Sequence, residues 1–222
     1  MKCKKLQYQT IKPILQTTLR KLMSIAEFRP FTLVGGTSLS LRYGHRMSDD
    51  IDLFTDAEYG SIDFRELQNI IRQEFEYCQG DCGDNISFGT SYIIGNSSVD
   101  CVKLDLYYTD SFIKPIEHID DIRIAAVEDI IAMKIDVISR GGRKKDFWDL
   151  HLLHDKFSIN QMLLIYAERY PYGSTLDECI AGLTNFCIAD NDPDPICLKN
   201  KIWQLIKLDF YNWISAMNTV ET

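Results

Sequence analysis

Two short segments with strictly alternating side chains constrain this chain more than any other feature of its sequence. The first reads DIDLF from Asp50, and the second reads VKLDL around Lys103 and Asp105. Because successive side chains of a strand point to opposite faces, Asp50 and Asp52 share one face and the aliphatic residues share the other. The same rule places Lys103 and Asp105 together, opposite three aliphatic residues. Each segment therefore predicts a strand with one buried apolar face and one charged face.

The charged face indicates chemistry as well as structure. Two or three carboxylates gathered on one sheet repel each other unless a cation lies between them, and their hard oxygen atoms favour Mg²⁺ or Mn²⁺ over zinc. A solvated sheet face explains the same charges without a ligand. A DxD pair also serves glycosyltransferases and phosphatases, but Phe54 stands where the haloacid-dehalogenase type of nucleophile motif needs Thr or Val.

A second motif, Gly35-Gly36-Thr37, lies between an apolar, β-rich run and the helical stretch Thr37–Gly44. Glycines at such a turn let backbone N–H groups approach a phosphate, the start of a helix favours an anion, and a threonine hydroxyl can donate to it. A tight strand-to-helix turn needs the same residues for its geometry alone. Because the DxD pair follows closely, the motif predicts a phosphate cradle beside a metal site, which is what a nucleoside triphosphate requires.

The chain changes character after about residue 110. Before that point strands and helices alternate, and after it amphipathic patterns predict helices. The sequence therefore predicts an α/β (α+β) protein with a first domain over residues 1–110 and a helical region over residues 111–222. The predicted helices of the second region cover residues 126–140, 143–157, 159–169, 174–188 and 195–217.

The stretch LVGGTSLSLRYGHRMSDDIDLF, residues 33–54, resembles the first motif of the abortive-infection AbiEii/AbiGii toxin family, a branch of the polymerase-β-like nucleotidyltransferases. The family pattern is GGTxLxL and then HRxSxDIDLF, and every fixed element is present. Lys103-Leu104-Asp105 resembles the second motif, KxD, and Glu128–Leu153 resembles the third and fourth. Ala126-Val127 stands where the family often has Ser-Pro. The resemblance implies a nucleotidyltransferase core with a mixed sheet, followed by a helical C-terminal half that closes the active-site cleft.

The resemblance also implies roles for individual residues. Asp50 and Asp52 would bind two Mg²⁺ ions, and Asp105 would bind the ion that activates an acceptor hydroxyl. Lys134 would offset leaving-group charge, although a lysine beside an apolar helical stripe more often faces water. Asp146 would hold Lys134 or Arg143 or contact the nucleotide, and its alternative role is to stabilise a helix dipole. The implied metal ligands are Asp50, Asp52 and Asp105; the nucleotide-binding residues are Gly35, Gly36, Thr37 and Lys134; the catalytic residues are Asp105, Lys103, Lys134 and Asp146.

The composition disfavours several classes of protein. With 32 acidic and 24 basic residues the net charge is −8, which disfavours a nucleic-acid coat protein but allows a local basic patch. No uncharged apolar run approaches the roughly 18 residues of a membrane span, so no membrane partner is expected. The seven cysteines are scattered without a CxxC pair, which predicts reduced thiols and a cytoplasmic setting.

Three functions stay open on the sequence alone. The first is an enzyme that uses Mg²⁺ or Mn²⁺ to move a nucleoside monophosphate from an NTP to an acceptor, either an RNA such as tRNA or a protein. The resemblance implies that such an enzyme is a bacterial toxin with a cognate antitoxin. The second is an idle nucleotidyltransferase fold that serves as a binding module, which the complete carboxylate set disfavours. The third is a DxD glycosyltransferase, whose chemistry does not require a GGT turn.

Overall fold

A computed structural model describes residues 5–83 and 88–218. The chain divides into two compact units, one made of residues up to Gly44 together with Ser48–Ala125, and the other made of His45–Met47 together with the residues from Ala126 onward. The division falls later than the predicted one between residues 110 and 111, because two further strands after residue 110 belong to the sheet of the first unit.

The first unit is built on a mixed sheet, as predicted, with seven strands among the described residues. The strands are β1 (Thr32–Leu33), β2 (Asp50–Thr55), β3 (Tyr77–Gln79), β4 (Gly89–Ser97), β5 (Asp100–Tyr108), β6 (Glu117–Ile119) and β7 (Ile122–Ile124). Their spatial order is β3-β4-β5-β2-β1-β7-β6. Strands β2 and β5 run parallel, as do β1 and β7, and the other neighbours are antiparallel.

Three α-helices accompany this sheet in the described part of the first unit. They are α1 (Pro13–Ser24), α2 (Gly35–Tyr43) and α3 (Phe64–Glu74). Helix α1 begins with a proline at its first position, where no backbone donor is lost. Asp63 caps α3 by accepting hydrogen bonds from the backbone N–H groups of Arg65 and Glu66.

The side-chain alternation predicted for β2 and β5 is confirmed. In β2, Ile51 and Leu53 are fully buried while the aspartates beside them are partly exposed. In β5, Leu104 and Leu106 are fully buried in the same way. These aliphatic side chains share one hydrophobic core with leucines of α1, such as Leu19. The opposite face of β2 and β5 is therefore left for the charged residues.

The second unit is helical, as predicted. Its described helices are α4 (Val127–Ser139), α5 (Lys144–Leu153), α6 (Ile159–Arg169), α7 (Leu176–Leu183) and α8 (Trp203–Asn218). The last helix begins at Trp203 rather than at residue 195, because the preceding segment pairs with His45–Met47 instead. The backbone N–H of Met47 donates to Ile196, and that of Leu198 donates to His45.

The described part of the chain contains no helix that is both long and apolar enough to cross a membrane.

Candidate functional site

The predicted carboxylates of the first unit lie in register on two neighbouring strands. Asp52 of β2 is paired directly with Asp105 of β5, and Asp50 is paired with Lys103. Neighbouring strands are about 4.8 Å apart, and these four side chains share one face. The structure therefore brings together the four residues that the two alternating segments singled out.

Both oxygen atoms of Asp105 are held by other side chains. The ammonium group of Lys103 lies 2.6 Å from Oδ2, and the hydroxyl of Ser91 donates to Oδ1 over 2.5 Å. Ser91 lies on β4, directly across from Asp105. Ser91 was not among the predicted site residues, because its role depends on the register of β4 against β5, which no sequence motif specifies.

The carboxylates of Asp50, Asp52 and Asp105 raise the pKa of Lys103, which lies on the same face of the sheet. Burial would lower the pKa of this lysine, but its hydrogen bond and charge interaction with Asp105, followed by the charges of Asp50 and Asp52, raise it above its ordinary value. The Lys103 side chain is nevertheless 46% exposed. Its ammonium group supplies part of the positive charge that a row of carboxylates requires.

The Gly35-Gly36-Thr37 motif forms the first turn of α2, just after β1, and Gly35 packs against Asp52. Gly35 has a φ of +66°, and a Cβ at this position would overlap the carboxylate of Asp52. The backbone N–H of Val34 donates to the carbonyl oxygen of Asp52 over 2.9 Å. A residue without a side chain is thus required both for the left-handed backbone and for the close approach.

Thr37 fastens this turn to β2. Its hydroxyl lies 2.5 Å from the carbonyl oxygen of Asp50 and 2.8 Å from the hydroxyl of Ser48, and the side chain is buried. The predicted contact between this hydroxyl and a phosphate stays a prediction. The structure shows instead that the Thr37 hydroxyl joins the first turn of α2 to the backbone of β2 by hydrogen bonds.

The carboxylates of Asp50, Asp52 and Asp105 are suitable ligands for a hard divalent cation, although their side chains are not arranged around a single metal position. No group of three or more His, Cys, Asp or Glu residues within the described ranges is positioned to hold a metal ion, and Asp105 already accepts from Lys103 and Ser91. The carboxylates are oxygen ligands in register on one face, which is the chemistry that Mg²⁺ and Mn²⁺ prefer. The assignment of Asp50, Asp52 and Asp105 as metal ligands stays a prediction.

The close contact between Gly35 and Asp52 gives a testable prediction. We expect Gly35→Ala to lower the free energy of unfolding by more than the approximately 1–2 kcal/mol that a left-handed backbone costs an L-residue, because the new methyl group must also displace the Asp52 carboxylate. Gly60→Ala is the control, since Gly60 has a φ of +84° but no described atom lies within 4 Å of the place that a Cβ would take there. Urea denaturation of both variants measures the difference. Equal losses would show that Asp52 moves aside freely.

The other predicted catalytic residues, Lys134 and Asp146, form an ion pair inside the second unit. The Lys134 ammonium group lies 2.6 Å from Oδ1 of Asp146 and 2.9 Å from Oδ2 of Asp149. Lys134 is 6% exposed, so the water-facing alternative is wrong. Burial alone would lower the pKa of Lys134, but Asp146 and Asp149 together raise it above its ordinary value. Lys134 is therefore held as a cation.

Asp146 performs two of the roles considered for it. Its Oδ1 binds Lys134, and its Oδ2 accepts from the backbone N–H of Arg143 over 3.0 Å at the beginning of α5. The second contact satisfies a backbone donor at the helix start, where a negative charge is also favourable. A contact between Asp146 and a nucleotide stays a prediction.

Asp149 is the centre of a buried network of charged side chains that also contains His45, Arg46 and Lys134. No sequence motif predicted this role. His45 Nε2 and Arg46 Nε each lie 2.7 Å from Oδ1 of Asp149, and Arg46 Nη2 donates to Oδ2 over 2.8 Å. Burial would raise the pKa of Asp149, but Arg46 and then Lys134 hold it well below its usual range. His45 and Arg46 thus belong to the first motif in sequence but bind a helix of the second unit.

Solved structures show the class of fold. A protein from H. pylori assigned as a nucleotidyltransferase superposes with a TM-score of 0.59 and 17% identity, covering 93% of this chain and 92% of that one. MenT4, a nucleotidyltransferase toxin from Mycobacterium tuberculosis H37Rv, superposes with a TM-score of 0.59 and 11% identity, covering 90% of this chain and 82% of that one. The predicted nucleotidyltransferase fold is therefore confirmed.

Sequence comparison then shows the family. The profile described as "Nucleotidyl transferase AbiEii toxin, Type IV TA system" matches residues 18–174, which is most of the chain. The chain therefore belongs to the AbiEii nucleotidyltransferase toxin family, as the motifs predicted. An uncharacterized protein of Aquifex aeolicus (strain VF5) is 34% identical over 144 residues, which cover 62% of this chain and 64% of that relative.

Proposed function

We propose that this protein is a Mg²⁺- or Mn²⁺-dependent enzyme that transfers a nucleoside monophosphate from an NTP to an acceptor. The observation that carries the proposal is the placement of Asp52 directly across from Asp105, with the Gly35 turn packed against Asp52. This joins a candidate cation site to a candidate phosphate-binding turn, and a nucleotidyl transfer needs both. Family membership supports the same reaction class.

The reaction forms a bond between an acceptor oxygen and the α-phosphorus of the NTP and breaks the bond to pyrophosphate. Asp50 and Asp52 are proposed to hold the metal ions with Asp105, and bound Mg²⁺ would stabilise the attacking and leaving oxygen atoms. Ser91 and Lys103 orient Asp105 through the contacts described above. The backbone N–H groups at the start of α2 are proposed to bind phosphate oxygens.

Lys134 is proposed to meet the negative charge of the triphosphate and of the leaving pyrophosphate. Support comes from its place in the motif match and from its burial beside Asp146 and Asp149, which keep it protonated. A protonated amine held in one orientation stabilises developing negative charge without reorganising during the reaction. Asp146 then acts as the positioning residue for Lys134.

The acceptor and the partner are further parts of the proposal. We propose an RNA such as tRNA, or a protein, as the acceptor, and a cognate antitoxin as the partner, since the family is described as part of a type IV toxin–antitoxin system. A reducing, cytoplasmic setting is consistent with the six described cysteines, none of which forms a disulfide.

Direct transfer of label tests the proposal. The purified protein is incubated with each α-labelled NTP, Mg²⁺ or Mn²⁺, and either total tRNA or a cell extract treated with RNase. We expect label to enter one acceptor class with one or more NTPs, and EDTA to abolish the transfer. Binding of NTPs without any transfer to either acceptor class would favour the idle binding module instead. Transfer of sugar from a sugar nucleotide would favour a glycosyltransferase.

A further inference from the structure

Two aromatic rings lie on the charged face of the sheet, one residue pair beyond the carboxylates. Phe54 follows Asp52 by two positions on β2, and Tyr107 follows Asp105 by two positions on β5, so all four side chains share one face. Phe54 and Tyr107 are paired directly across the two strands. Their ring centroids are 5.9 Å apart, and the ring planes meet at 64°.

The hydrophobic core does not account for these rings. The core of the first unit lies on the opposite face of β2 and β5, where Leu53 and Leu106 are fully buried. Phe54 and Tyr107 are partly exposed. A sheet with one face on a core normally carries polar residues on the other face, and aromatic side chains beside a few convergent polar groups are typical of a ligand site.

The structure holds Tyr107 in a defined position. Its hydroxyl lies 3.2 Å from the hydroxyl of Ser91, which in turn donates to Asp105. Gly89 lies across from Tyr107 on β4, and a Cβ at Gly89 would overlap the ring. The tyrosine ring therefore extends over a strand position that has no side chain, and it is linked through Ser91 to the carboxylate row.

We propose that Phe54 and Tyr107 form a stacking surface for a nucleobase, which belongs either to the donor NTP or to the terminal nucleotide of an acceptor. Along the backbone, two residues of a strand, about 6.6 Å, separate Phe54 from Asp52 and Tyr107 from Asp105. A base on the rings would place the ribose or phosphate of the same nucleotide over the carboxylates. Every base has a π-face, so this surface favours nucleotides over inorganic phosphates without selecting one base. The inference rests on the proposed function, because it assumes a nucleotide at this site.

Binding measurements test the stacking surface without requiring turnover. The probes are the four α,β-methylene nucleoside triphosphates with Mg²⁺, four tetraribonucleotides that differ in their terminal base, and inorganic tripolyphosphate. We expect Phe54→Leu and Tyr107→Leu each to weaken the binding of one base-bearing probe class by about 5- to 100-fold, and to leave tripolyphosphate binding unchanged. Loss confined to the triphosphates assigns the base to the donor, and loss confined to the oligonucleotides assigns it to the acceptor.

Two control variants separate stacking from other effects. Tyr107→Phe keeps the ring but removes the hydroxyl that contacts Ser91, and it should retain base affinity. Tyr59→Leu removes a ring that is 53% exposed and packs against Tyr108, whose side chain lies on the opposite face of β5 from Tyr107, and it should leave the binding of every probe unchanged. The proposal is overturned if both leucine variants at Phe54 and Tyr107 bind every probe within twofold of the wild type. Failure of label transfer, with base affinity still dependent on Phe54 and Tyr107, would reject the enzyme and leave the stacking surface standing.

Discussion

Asp52→Asn is expected to reduce nucleotide transfer by at least about 100-fold and to leave the fold intact. Asparagine keeps the size of the side chain but lacks the negative charge that binds a hard divalent cation. Loss of one preorganised electrostatic group typically costs an enzyme about 10²–10³ in rate. The backbone hydrogen bond from Val34 to the carbonyl of residue 52 does not involve the side chain and is retained. Initial rates at saturating NTP, with thermal melting in parallel, measure both effects.

Asp49→Asn is the matched control for this variant. Asp49 is the sequence neighbour of Asp50, its side chain is 57% exposed, and it forms a surface ion pair with Lys12 at 3.1 Å. Such pairs contribute little to stability, and we expect this variant to keep wild-type transfer and thermal melting. If Asp52→Asn and Asp49→Asn transfer nucleotide equally well, Asp52 is not a metal ligand in the reaction.

The sequence predicted those features of the site that depend on residue spacing within a single segment. Face parity along β2 and β5 places Asp50 with Asp52 and Lys103 with Asp105, and both groupings are found in the structure. The glycine pair that begins α2 is also recognisable from the sequence, because the left-handed backbone of Gly35 favours glycine. These features follow from spacing along one segment, so they need no knowledge of which strands pair.

The contacts that the sequence did not predict join distant segments. Ser91 reaches Asp105 because β4 pairs with β5 in one particular register. Arg46 and Asp149 are 103 positions apart, and no local pattern links an arginine before a strand to an aspartate inside a helix. Propensity and periodicity describe segments one at a time, whereas these hydrogen bonds depend on the tertiary arrangement.

The sequence did not predict the hairpin of β6 and β7, and here the cause is the shortness of the strands and not a contact between distant segments. Each strand has three residues, which is too short for alternation to stand out. The two residues between them, Asp120 and Asp121, both have positive φ angles of 51° and 65°. This is the backbone of a type I′ turn, which aspartate tolerates better than most residues. The two consecutive aspartates between two isoleucine-containing segments are therefore a sequence feature that could have indicated this hairpin.

Asp149→Asn is expected to cause the largest loss of stability, lowering the free energy of unfolding of the second unit by about 3–5 kcal/mol. The carboxylate is fully buried and binds the side chains of Arg46 and Lys134, which are themselves 3% and 6% exposed. An amide at this position leaves two buried cations with one fewer negative charge. Removing one partner of a buried ion network lowers the free energy of unfolding by far more than the whole network adds to it, because the remaining charges stay desolvated. Urea denaturation monitored by tryptophan fluorescence measures the change.

A double-mutant cycle with Arg46→Gln shows whether the loss comes from uncompensated charge. If it does, the double variant Arg46→Gln/Asp149→Asn will be less destabilised than the sum of the two single variants, since neither side chain then leaves the other's charge unmatched. Asp136→Asn is the control for a partly exposed pair: Asp136 and Arg140, at the end of α4, have side chains that are 20% and 66% exposed, and a pair four residues apart at a helix surface is worth about 0.3–0.5 kcal/mol. A loss below about 1 kcal/mol for Asp149→Asn would mean that water or Asp146 compensates the buried cations, and the network would then not be what keeps Lys134 in place.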